Sequence, residues 1–128
     1  MSRHTIVNLK RVEPSEAARA AGIDAHMSRS RLESEHLGVS YFRYPPDFRP
    51  GTGHHHREQE EAYVVVSGSG QVRLDDEVFD LAQWDVVRVA PDVVRGFRAG
   101  PQGLEIIAIG ADRPEGGDGV VVKDFWTD

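Results

Sequence analysis

From residue 28 onward the chain reads as a succession of short apolar runs broken by glycine, proline and aspartate. Residues 37–44 are rich in aromatic and branched side chains and stop at Pro45 and Pro46, which lack the donors a ladder needs. Residues 61–67 carry Ala-Tyr-Val-Val-Val and close on Gly68-Ser69-Gly70, which predicts a hairpin turn there. Residues 71–74 alternate, Asp75, Asp76 and Glu77 supply a turn, and residues 78–81 follow. Residues 86–89 end at Ala90-Pro91-Asp92, and residues 93–99 end at Gly100-Pro101. Residues 104–109 are the most apolar segment, and the loop Gly116-Gly117-Asp118-Gly119 precedes a last strand at 120–122. Only residues 14–22 predict a helix, opened by Pro14 and Ser15, filled with alanine and stopped by Gly22. Regularly spaced strands without intervening helices predict an all-β sandwich or barrel, not a parallel α/β sheet.

Length and charge narrow this picture. The 128 residues suit one domain with one core. Lys and Arg total 15 against 21 Asp and Glu, a formal net charge of −6, which disfavours a nucleic-acid surface. No apolar run approaches the ~20 residues that cross a bilayer, so no membrane partner is expected. The first 30 residues hold several charges and no continuous apolar core, so a cytoplasmic location is expected. The chain has no cysteine, which excludes disulfide frameworks, thiolate metal sites and thiol nucleophiles. It also lacks a Gly-X-Ser-X-Gly elbow and a Gly-Lys-Ser/Thr phosphate loop.

The chemistry concentrates at residues 51–63, where half of the six histidines sit. Side chains two apart on a strand share a face, so His54 and His56 point together and His55 points away. Glu61, Tyr63 and Val65 share one face of the next strand, and a turn over residues 57–60 brings Glu61 back beside the two imidazoles. Two neutral imidazoles and one carboxylate are a ligand set for a divalent first-row metal, with positions left for water, substrate or oxygen. A solvated polar loop and an adventitious metal site are the competing readings of His-X-His alone.

These residues resemble the first motif of the cupin superfamily: His-X-His, four residues, Glu, six residues, Gly, here His54, His56, Glu61 and Gly68. Asp85 and Pro91 lie along the second motif, but Trp84 and Asp92 stand at its two glycines, Ala99 at its final Asn, and Arg95 at the third metal histidine. The resemblance spans residues 37–109 and implies a double-stranded β-helix, the jelly-roll barrel, with both motifs lining the interior. It divides the single domain into an N-terminal segment at 1–36 with the helix and a first strand, a barrel core at 37–110, and a C-terminal loop and strand at 111–128. It also implies a homodimer.

Arg95 opens two possibilities. Either the metal stays on His54, His56 and Glu61 while Arg95 binds an anionic substrate through its planar fork, or Arg95 replaces the metal by pairing with Glu61. Alternation adds Phe97 on the face of Arg95, Tyr63 on the face of Glu61, and Tyr41 with Arg43 on one face of the preceding strand as candidate substrate contacts. Phe125 and Trp126 are expected to pack on the barrel edge, a partner subunit or their own core. The expected function is metal-dependent chemistry of the oxygenase, isomerase, epimerase or decarboxylase kind on a small anionic molecule, with Fe, Mn, Ni or Zn as cofactor. The alternative is non-enzymatic binding or sensing of a small molecule.

Overall fold

Two long strands organise the molecule. In the computed structural model, which describes residues 3–126, β4 (Glu61–Leu74) and β7 (Arg95–Gly110) run antiparallel along most of their lengths. Along its other edge β7 pairs with β2 (Gly38–Tyr44), which pairs with β1 (Asp24–Met27). The start of β7 meets β3 (Gly53–His56), which pairs with β8 (Gly119–Val122). Strands β5 (Glu77–Leu81) and β6 (Val86–Val89) both pair with β4. The result is one antiparallel eight-stranded sheet curled into a barrel, as the strand pattern and the resemblance predict. No helix among the described residues is long and apolar enough to cross a membrane. Residues 1, 2, 127 and 128, the outermost ends of the expected terminal segments, lie outside the described residues.

The predicted hairpin at Gly68-Ser69-Gly70 is not there. This segment lies inside β4, paired with β7 through Gly68 opposite Leu104 and Gly70 opposite Ala99, with the register shifting between them. Nor do Gly100 and Pro101 end a strand, since they fall in the stretch of β7 that this shift leaves out of register. The glycines here mark a bulge that bends two long strands together. Gly68 has φ +78°, and a Cβ there would stand 2.1 Å from the Gly103 carbonyl oxygen, so the two backbones touch only because neither carries a side chain.

The inward residues of the long strands form the core: Tyr63, Val65 and Val72 from β4, and Phe97, Leu104 and Ile106 from β7. A buried aliphatic or aromatic side chain of this kind contributes about 1.5–3 kcal/mol. The predicted helix is α1 (Glu16–Ala20), with the Ser15 hydroxyl accepting from the Ala18 amide at 3.2 Å and Gly22 leaving it at φ +88°. A second single turn, α2 (Arg29–Leu32), has no helical signature in the sequence. It lies against the start of β2 and matters below. The C-terminal segment folds onto its own barrel: the Phe125 and Trp126 amides donate to the Gly51 carbonyl, and the Phe125 ring lies over Gly53 and Gly96.

Candidate metal centre

Strand alternation builds the centre. On β3, His54 and His56 turn into the barrel, their ring centroids 5.1 Å apart and nearly perpendicular. The turn after β3 returns the chain so that Glu61, the first residue of β4, stands beside them. Glu61 Oε1 lies 3.0 Å from His56 Nε2 and 3.7 Å from His54 Nε2. One donor atom from each of the three residues falls within 4.8 Å of the others.

The hydrogen bonds around this trio decide what it suits. His56 Nδ1 lies 2.8 Å from Asp118 Oδ1, and Asp118 Oδ2 accepts from the Glu58 and Gln59 amides at 2.7 and 2.9 Å. Burial opposes the ionisation of Asp118, but the Glu58 amide, the His56 ring and the Gln59 amide outweigh it and hold the carboxyl down at about 2. An ionised Asp118 only accepts, so in the neutral ring, the form that binds a metal, the His56 proton belongs on Nδ1 and Nε2 presents the lone pair. That Nε2 is buried and lacks a hydrogen-bond partner, although an acceptor oxygen faces it at 3.0 Å. Two lone pairs turned toward each other in a buried site fit a shared cation, and a carboxylate behind the histidine is the usual outer support of a histidine metal ligand. The donor set therefore fits a divalent metal.

Burial also pushes the Glu61 carboxyl up, yet the His54 ring, the Tyr63 hydroxyl and the His56 ring hold it below the ordinary carboxylate range. Tyr63 donates its hydroxyl to Glu61 Oε1. Burial, then the Glu61 charge, pushes the Tyr63 phenol well above its ordinary value, so it stays a donor.

Arg95 is fully buried and stands opposite His54 in the β3–β7 register. Its Nη2 donates to the Ala90 carbonyl at 3.0 Å, while Nε and Nη1 are buried without a partner. The expected alternative in which Arg95 pairs with Glu61 is not observed: among the described residues the Glu61 carboxylate lies against the His54 and His56 rings and makes no ion pair with Arg95. The reason is packing, since the Tyr63 hydroxyl and the two imidazoles already occupy Glu61, and the guanidinium is turned to Ala90. Each unsatisfied buried donor costs about 1–3 kcal/mol, so Arg95 carries a cost that an anion would relieve.

These groups line one cavity of about 500 Å3. Phe97 belongs to it, packed 4.8 Å from the Tyr63 ring and stacked on Tyr44 at 6.4 Å. Tyr41 and Arg43 do not belong to it. The alternation of β2 turns Phe42 and Tyr44 inward, and Tyr41 and Arg43 line a separate cleft on the outer side with His26 and Glu105. Tyr41 there donates to Glu105. Aromatic residues on both faces of β2 hide which face is inner. The sequence reading missed Asp118, whose one local cue is a lone acid in a glycine-rich loop. It also missed Arg29 and Gln59, which line the cavity from outside the motifs.

A cupin domain family profile matches residues 40–110. Among solved structures, a cupin protein from Bacteroides fragilis superposes with TM-score 0.69 at 22% identity, over 88% of this chain and 86% of that one. KdgF from a Halomonas species gives TM-score 0.67 at 16% identity, over 88% and 96%. Pac13 from Streptomyces, described as a nucleoside dehydratase, gives TM-score 0.71 at 17% identity, over 94% and 92%. At these identities the structures establish a shared fold. No curated protein matches the chain.

Proposed function

The chain belongs to the cupin domain family, and on that premise we propose that its barrel holds a divalent first-row ion (Fe, Mn, Ni or Zn) on His54, His56 and Glu61 and acts on a small anionic molecule. The observation that carries this reading is the buried Nε2 of His56, which makes no hydrogen bond and faces Glu61 Oε1 at 3.0 Å while its Nδ1 side is committed to Asp118. A metal on this donor set supplies Lewis-acid polarisation of a bound oxygen or an activated water.

The remaining work falls to the chain's own side chains. Asp118 holds the His56 ring in one tautomer and one orientation. Tyr63 keeps its proton on its own oxygen and steadies Glu61. Arg95 offers two unpartnered donor nitrogens from a buried position, where a charge-assisted bond to an anion is strongest. Phe42, Tyr44 and Phe97 give an apolar wall against the body of the molecule. One structural neighbour is described as a nucleoside dehydratase and was solved with uridine, an uncharged small molecule, which supports small-molecule binding in such a barrel. The anionic preference proposed here rests on Arg95 alone.

Metal analysis of tag-free protein tests the reading. Near-stoichiometric metal is expected, and its loss in His56→Ala and Glu61→Ala variants that keep the wild-type far-UV spectrum. Absence of retained metal, together with no thermal stabilisation by any of the four ions in excess, overturns it.

A further inference from the structure

Arg29 reaches the same cavity from a different part of the chain. It sits on α2, outside the matched family region, and its Nη2 donates to the Ala111 carbonyl at 2.9 Å. Two glycines make room for it. Gly38 and Gly110 face each other across β2 and β7, and a Cβ at Gly38 would stand 2.6 Å from Arg29 Nη2. A Cβ at Gly110 would stand 2.3 Å from the Gln59 amide nitrogen, which also donates to Ala111, at 3.1 Å. Arg29 and Gln59 are thus seated side by side on a side-chain-free patch of the barrel rim.

That patch is placed with respect to the metal ligands. Gly110 pairs with Glu61 across β7 and β4, whereas Arg95 pairs with His54 across β7 and β3. Arg95, at the start of β7, is thus placed beside His54, and Arg29, over Gly110 at its end, beside Glu61, so that the two arginines flank the metal-ligand trio along these strand pairings. Among the described residues Glu61 is the only carboxylate on the cavity wall, against Arg29, Arg95 and the rim residue Arg113. Among the described residues no Asp or Glu forms an ion pair with any of these three arginines. This local excess of positive charge sits in a chain whose formal net charge is −6. The same cavity also has an apolar wall, to which Met27, Phe42, Tyr44 and Phe97 contribute.

Taking the anion-binding reading of the cavity as given, we propose that its occupant is a small organic diacid, one carboxylate on Arg95 and the second on Arg29, with an apolar body between them. A planar guanidinium fork matches a carboxylate in a two-point contact, and two forks facing one cavity select for two such groups. Arg29 is then the residue that separates diacids from monoacids of the same length.

The test uses matched probes: succinate, adipate and terephthalate against butyrate, hexanoate and benzoate, titrated by calorimetry into Zn-loaded and EDTA-treated protein. The best diacid is expected to bind at least about tenfold tighter than its monoacid. Arg29→Gln should bring the diacid to the monoacid value while leaving the monoacid within about twofold, and Arg29→Lys, which keeps charge without the fork, should fall between. Arg95→Gln should weaken both acids alike. Diacids and monoacids binding equally, with both dependent on Arg95, overturns the proposal and leaves the anionic pocket standing. No binding of any acid to wild-type protein overturns both. An equal loss of the two acids in a folded Arg29→Gln protein also overturns the assignment to Arg29.

Discussion

Asp118 Oδ1 lies 2.8 Å from His56 Nδ1, and its carboxylate is 1% exposed. The pair joins the loop before β8 to the last residue of β3, so the orientation of a proposed metal ligand depends on a segment outside the matched family region. Loss of such an outer carboxylate typically weakens metal binding by about 10–100-fold. Asp118→Asn keeps the shape but offers the ring a mixed donor and acceptor. It is expected to raise the Zn Kd within that range, read by competition with a chromogenic chelator. An unchanged Kd in a folded variant removes Asp118 from the metal site.

Arg95 against His54 gives a second prediction. Arg95→His puts an imidazole where the resemblance expects the third metal histidine, and it removes the buried cation from the neighbourhood. Metal retention should tighten by about tenfold or more, because a third neutral ligand is gained as a like charge is lost. Carboxylate binding should fall in the same protein. Weaker metal retention in this variant means that position 95 does not face the ligands.

The outer cleft supplies a pH prediction. The Tyr41 hydroxyl, against partial burial, holds the Glu105 carboxyl below its ordinary range, with Ser67, Lys10 and Arg43 adding to the effect. A depressed carboxyl stabilises the fold above its unfolded value, and that stability disappears as pH falls through the lower folded value. Tyr41→Phe should therefore cost about 1 kcal/mol in urea unfolding at pH 7, and the gap to wild type should narrow as the pH drops below about 4. Metal affinity should not change, since Tyr41 faces away from the ligands. A gap that is constant or wider in acid contradicts the assignment.

What the residues announced in advance depended on range. His54, His56 and Glu61 were legible because a period-2 strand and a four-residue turn, residues 57–60, are local facts. The strand pattern told barrel from α/β for the same reason. The Gly68 and Gly100 stretches misled because glycine serves turns and bulges alike, and only the β4–β7 pairing decides between them. Tyr41 was ambiguous beside Phe42 and Tyr44, which leave β2 with aromatics on both faces. Asp118 lies 62 positions from His56, and Arg29 lies 82 from Ala111, so no local pattern ties either to the site.

Trp84 supports a prediction free of any ligand. It turns the chain between β5 and β6 with φ +76°, its amide donating to the Val65 carbonyl at 2.7 Å, and its side chain is 68% exposed. The resemblance expects glycine here, and a bulky residue in this region costs of order 1–3 kcal/mol. Glycine lifts that strain but has more freedom to lose on folding, a cost of about 0.5–1 kcal/mol. Alanine keeps the strain and removes the ring, which packs too little to matter. Trp84→Gly should therefore be more stable than Trp84→Ala by about 1 kcal/mol, measured as a shift in urea midpoint at unchanged slope. Equal midpoints for the two variants mean that the backbone relaxes once the indole is gone, so that the ring itself imposes the left-handed turn.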